Sequence, residues 1–511
     1  MEFHSILWLP EHAKAWKDEV EAPDSFPDLN LDRVVSDITS NHKYKEYELE
    51  KFYYRLLAGK EAVVYRQQIF QDLQDQTKLE LIRDFAHAMK RTESRIRSAS
   101  RYPYEYQKER EILDSAKIYC DAVAALSAAI VRADFRSAGF LAFADFLTGY
   151  ANSDEFKVLA TETESLETVL LNVYYSLIIK SDGVVVRRFA SAQDYTQELV
   201  RIFEKFKNDK SGTAKDRTRS HYDANHVEEI LVELIAKFYP AVFRKLEAYF
   251  IKNSDYMNNT IRRFYREIQF YLSYIDYIAP MENANLKFCI PAISEVDRNI
   301  CVRDGFNIAL ASVLVSNREK VICNDFLLEG DERIVIVTGR NQGGKTTFAS
   351  SLAQIEYLGC LGLPVPGSYA RLCLVDEIFT HFQKEEIGEN LKSGLEDDLL
   401  RIHDVIMRST AKSMIIINEM LNSCTLRDAS AIGKKILGTM QKIGCVCVYV
   451  TFIHDLLEFD KTVCMTNEVN PHNVDIPTYK IVRKQPDTDP YAIHMAGKYG
   501  LTYDQLRQRL M

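Results

Sequence analysis

The residues with the most chemical content lie in RIVIVTGRNQGGKTT, residues 333–347. Gly339, Gly344, Lys345 and Thr346 match the pattern G-x-x-x-x-G-K-[ST]. Each residue type has a task on a polyphosphate. Glycines let successive backbone N–H groups turn inward onto phosphate oxygens, and a helix start adds partial positive charge. Lys345 would reach the β- and γ-phosphates, and the Thr346 hydroxyl would ligate magnesium. The candidate binding set for ATP and Mg2+ is therefore Gly339, Arg340, Asn341, Gln342, Gly343, Gly344, Lys345, Thr346 and Thr347.

Hydrolysis also needs a carboxylate to orient water. Two apolar runs end in candidates, one at Asp376–Glu377 and one at Asn418–Glu419. Charge favours the first pair, since an Asp holds magnesium better than an Asn. Chain order favours the second. A helical pattern over 420–444 and a β-rich run from 446 follow Asn418–Glu419. In ABC-type ATPases a loop, a helix and a further strand follow the acidic pair in that way. After Asp376–Glu377 comes a charged stretch with no immediate strand pattern. Glu419 is thus expected to be the catalytic base. Asn418 and Glu419 would both meet magnesium through water.

These residues need a sheet to hold them. Residues 291–511 carry fifteen of the twenty glycines, and β-rich runs at 333–338, 371–375, 413–417, 446–451 and 478–482 alternate with helical stretches. That alternation predicts an α/β domain with a largely parallel sheet. The first 290 residues differ. No proline lies between Tyr104 and Tyr239, which suits long helices. Val227, Ile230, Leu231, Leu234 and Ile235 recur at helical spacing, as do apolar residues over 266–278. A hairpin is predicted around Ser181-Asp182-Gly183. The boundary between the two grammars falls near 285.

Totals set limits. A length of 511 residues exceeds one core. A net charge of -9 excludes a protein that is basic all over. Ten cysteines without a CxxC read as structural thiols in a reducing compartment. No run approaches eighteen apolar residues, and the first residues lack a signal pattern, so no membrane partner and a cytoplasmic location are expected.

The ATPase half resembles the MutS mismatch-repair family. TGRNQGGKTT at 338–347 looks like that family's TGPNMGGKST. LGLPVPG at 361–367 looks like IGSYVPA, and VDEIFTH at 375–381 like IDRIFTR. INEMLNSCTLRDA at 417–429 looks like MDEIGRGTSTYDG. The resemblance makes Asp376–Glu377 a decoy, puts Glu419 on the catalytic acid, and adds Asp428 to the nucleotide contacts. It implies an N-terminal segment over 1–30 and a helical core, lever and clamp-like region over 31–285. An ABC ATPase domain over 286–485 and a C-terminal helix-turn-helix dimerisation element over 486–511 would follow. It further implies a homodimer in which Ser393 and Gly394 reach the partner's nucleotide, and contacts to the DNA backbone. The mismatch-reading and connector domains are expected to be missing.

Three departures stand out. Asn418 replaces the magnesium-associated Asp, which predicts weak turnover. Thr451-Phe452 replaces Thr-His, with His454 two residues on. SGLEDDLLRI from Ser393 keeps only the Ser-Gly of the family's signature. The basic run at 205–221 is a candidate phosphate contact, although a solvated loop is the more ordinary reading, and the run at 90–101 reads first as a solvated helix face. The function expected is an ATP-hydrolysing, DNA-binding clamp. The alternative is an ATP-gated protein-interaction module with no nucleic-acid role.

Overall fold

A computed structural model of the chain describes residues 3–13, 20–180, 183–189, 221–383, 394–421, 424–469, 476–485, 499 and 501–510. Two compact units emerge. One comprises Thr77–Phe135 and Ala142–Tyr265, the other Phe3–Gln76, Arg136–Leu141 and Arg266–Met511.

The first unit is helical. Helices Glu105–Ile130, Asp154–Leu171 and Pro240–Asn253 pack on one another. Their buried polar atoms pair: the Thr163 and Tyr249 hydroxyls lie 2.6 Å apart, and Tyr119 donates to Tyr150 at 3.1 Å. Phe143 stacks on Phe264 with ring centroids 3.5 Å apart. The periodic run expected at 227–235 falls inside helix His221–Phe238, where Ile235 is buried while Ile230 is exposed. Pro240 opens the next helix, where its missing N–H costs nothing. Strands Tyr175–Lys180 and Gly183–Arg188 form the expected antiparallel hairpin. Gly183 pairs with Lys180, so it begins the return strand rather than sitting in the turn. The 90–101 run lies largely on helix Gln76–Ala99, where Arg95 bonds Glu111 at 2.9 Å and lies 3.4 Å from Asp114. The 205–221 run lies outside the described residues apart from His221.

The second unit is organised by a six-stranded sheet. Its strands are β1 (Ile334–Thr338), β2 (Ile378–Phe382), β3 (Met414–Asn418), β4 (Val446–Val450), β5 (Thr462–Asn467) and β6 (Ile481–Arg483). Their spatial order is β2-β3-β4-β1-β5-β6. The first five are parallel and β6 is antiparallel. β1, β3 and β4 are apolar without alternation because layers cover both faces. One layer draws on α2 (Gly394–Arg408) and α3 (Leu426–Ile443). Ile402, Leu437 and Met440 pack there against Ile334, Ile336, Ile415 and Tyr449.

The other layer is α1 (Lys345–Cys360), which crosses β1, β3 and β4. Every α1 residue from Phe348 to Cys360 is buried. Its far side is covered from the chain's start. Gln354 Nε2 donates to the Leu29 carbonyl and the Tyr357 hydroxyl to the Tyr53 carbonyl, each at 2.7 Å. The Phe26 ring meets Tyr357 edge-on at 5.1 Å.

Two expectations change here. The run at 371–375 forms strand Tyr369–Cys373, which belongs to a separate four-stranded sheet with Ala292–Ser294, Ile300–Gly305 and Asn324–Leu328. A main-sheet strand, β2, does begin directly after Asp376–Glu377. The C-terminal stretch Tyr503–Leu510 is helical, and most of 486–502 lies outside the described residues. All ten cysteines are free.

Candidate nucleotide-binding site

The candidate residues meet at the carboxyl edge of the sheet. β1 is fully buried and ends at Thr338, and the chain then turns through 339–344 into α1. Gly339 and Gly344 have φ of +128° and +88°, conformations that L side chains rarely adopt. Gly344 is the N-cap of α1, so the loop delivers the positive end of a sixteen-residue helix to the edge.

Lys345 is buried, and its Nζ donates to the carbonyls of Gly339 at 3.1 Å and Arg340 at 3.0 Å. Burial pushes its ammonium below the ordinary lysine range, and the Glu419 carboxylate opposes that shift. The Phe452 ring centroid lies 4.2 Å from Nζ. The departure at 452 therefore puts an aromatic face on the lysine, while His454 begins a short 3-10 helix away from the cavity lining.

The acidic pairs separate by edge. Asn418 ends β3, and its Oδ1 accepts from Thr346 Oγ1 at 2.9 Å. Glu419 has φ of +52°, unusual for a side-chain-bearing residue, and its N–H donates to the Val450 carbonyl at 2.9 Å. Glu419 lines the same cavity as Lys345 and Thr346. Asp376 and Glu377 precede β2, whose first residue pairs with Met414 at the start of β3, so they lie at the amino edge. There Asp376 accepts from Ser413 at 2.9 Å and from Thr410, and Glu377 pairs with Arg408 at 2.7 Å.

The remaining candidates divide. Asn341, Gln342, Gly343, Gly344 and Thr347 line the cavity. Asp428 is exposed and serves α3: its N–H donates to the N-cap Thr425 hydroxyl, which donates back to the Asp428 carboxylate at 2.7 Å. Gly394 begins α2, and Ser393 lies outside the described residues.

The cavity has a volume of about 780 Å³ and continues past the loop to Phe306, Leu310, Leu314, Ile322 and Tyr479. That size suits a nucleotide. Sequence reasoning missed this apolar end, and it missed Asn467 at the end of β5. Asn467 Nδ2 donates to the Gly343 carbonyl. No motif marks these positions, because each comes from a segment remote from the loop in sequence.

A parallel sheet with a glycine loop, a buried lysine and a carboxylate converging at its carboxyl edge defines a nucleotide-binding α/β protein. Residues 335–506 match the family model of MutS domain V. The DNA mismatch repair protein MutS of Lactobacillus delbrueckii subsp. bulgaricus is 26% identical over 45% of this chain and 28% of its own length. MutS of Orientia tsutsugamushi is 26% identical over 42% of this chain and 24% of its own. MutS of Caldanaerobacter subterraneus subsp. tengcongensis is 25% identical over 46% of this chain and 25% of its own. The match spans about a quarter of each of these relatives' length. Among the described residues no helix is long and apolar enough to cross a membrane.

Proposed function

We propose that this protein binds ATP with Mg2+ and hydrolyses it. The convergence of Lys345, the Thr346–Asn418 pair and Glu419 at one cavity carries the reading. The hydroxyl of Thr346 and the amide oxygen of Asn418 are oxygen donors of the kind a divalent cation takes. Mg2+, when bound, would neutralise phosphate charge. Lys345 exchanges its carbonyl contacts for phosphate oxygens. Amides of the loop and of the first turn of α1 hold the remaining oxygens. Glu419 orients the attacking water. The amide at Asn418 favours a second reading, a switch that binds ATP with negligible turnover.

Steady-state hydrolysis and equilibrium ATP binding test both. Lys345→Ala is expected to lose binding and turnover. Glu419→Gln should keep binding and lose turnover about 100-fold. Asp376→Ala should leave turnover in place. Turnover no higher in the native protein than in Lys345→Ala would leave only the switch, and turnover lost in Asp376→Ala but kept in Glu419→Gln would reverse the choice of pair.

We further infer a homodimer that couples nucleotide state to a DNA clamp, with 31–285 as core, lever and clamp and 286–485 as ATPase domain. Residues 486–511 would dimerise, and Ser393 and Gly394 would act on the partner's nucleotide. The relatives' naming as DNA mismatch repair proteins supports this. DNA affinity should fall steeply with salt, since backbone contacts release counterions. Mobility-shift assays on plain, mismatched and branched duplexes read this out. Absent or salt-insensitive binding would favour a protein-interaction module.

A further inference from the structure

Asn467 reaches the phosphate loop from outside its motif. It closes β5 one residue beyond the Thr466–Thr338 pairing, which places it beside the loop's first glycine. Its Nδ2 donates to the Gly343 carbonyl, while its Oδ1 is buried without a hydrogen-bond partner. A Cβ on either Gly339 or Gly343 would overlap this amide. Gly343 does not have positive φ. Its backbone would accept a side chain, and Asn467 is what excludes one.

The peptide unit turns this contact into an orientation. Its carbonyl and the next N–H are trans and coplanar, so they point in opposite directions. Fixing the Gly343 carbonyl against Asn467 sends the Gly344 N–H the other way, and Gly344 lines the cavity. Lys345 Nζ meanwhile holds the carbonyls of Gly339 and Arg340. Lys345 must leave those carbonyls to bind phosphate. Asn467 lies outside the cavity lining and can stay.

We propose that Asn467 is a positioning residue of the nucleotide site, setting the 343–344 peptide so that its N–H faces the phosphates. The proposal rests on the ATP-binding reading above. Asp at 467 keeps the size but puts a carboxylate against a carbonyl, which favours the flipped peptide. Asn467→Asp should weaken ATP and ADP binding at least about tenfold, the scale of a lost hydrogen bond to a charged group. Asn467→Ala should weaken it less. The apo melting temperature should stay close to that of the native protein in both.

Gly343→Ala alone should also weaken binding. Combined with Asn467→Ala, its cost should fall below the sum of the single effects, because both act through one contact. Native affinity in both Asn467 variants would overturn the proposal. So would a lowered melting temperature with unchanged affinity, or strict additivity with Gly343→Ala. Failure of the native protein itself to bind ATP would instead overturn the underlying reading, and that result needs no variant.

Discussion

Asn418 stands at the end of β3 with its amide oxygen against the Thr346 hydroxyl, a position where a carboxylate would add a charge. A metal's outer partner commonly contributes about 10–100-fold in affinity or activity. Asn418→Asp is accordingly expected to tighten Mg2+-dependent ATP binding and raise turnover about tenfold, measured by titrating Mg2+ at fixed ATP. Unchanged Mg2+ dependence would show that residue 418 does not face the ion. At this scale the sequence was most legible where chemistry is local. The loop from Gly339 to Thr346 carries its task in adjacent residues, and Glu419 follows a recognisable apolar run. Asn467, Tyr479 and Phe452 carry no such signature. They reach the loop only because β5 and β4 end, and the antiparallel β6 begins, beside it. At Asp428 the structure shows a local task the motif did not announce, a carboxylate that accepts from the N-cap Thr425 hydroxyl.

Elements were legible when their apolar runs were pure. β1, β3 and β4 sit within a residue of their expected bounds because each is buried on both faces. β2 escaped notice because Thr380 and His381 interrupt it, although His381 is itself buried. β5 was missed in TVCMTN, which ends in polar residues at the site. Periodicity could not say that 371–375 serves a different sheet. Within α1, Glu356 is fully buried, and burial holds its carboxyl up to about 8, well above the ordinary 4.5. The folded state therefore keeps a proton that the unfolded chain releases between those values. The sign is the reverse of a paired carboxylate: the contribution of Glu356 to stability is greatest at low pH and declines as pH rises towards 8, by at most about 1.4 kcal/mol per unit. Glu356→Gln should lack this decline. Urea unfolding at pH 5, 7 and 9 should show the two proteins diverging as pH rises, and parallel profiles would remove the account.

The whole molecule is the scale the sequence expressed least. The change in grammar near 285 is real as composition, yet the compact unit holding the sheet also draws on Phe3–Gln76 and Arg136–Leu141. No local pattern announces that Leu29 and Tyr53 accept hydrogen bonds from α1, or that Tyr274 donates to the Pro364 carbonyl at 2.6 Å. A fragment of residues 286–511 would expose the covered side of α1. It is expected to be insoluble or to unfold without cooperativity, whereas the full chain should show a cooperative transition, as read by circular dichroism during urea titration. A well-folded fragment would show that the N-terminal cover is dispensable. The same arrangement bears on synthesis. The ribosome releases Phe26, Leu29 and Tyr53 long before α1 exists, and the entire helical unit emerges in between. Those apolar side chains must wait, unsheltered, for most of translation, which makes the nascent chain a natural client for a holding chaperone.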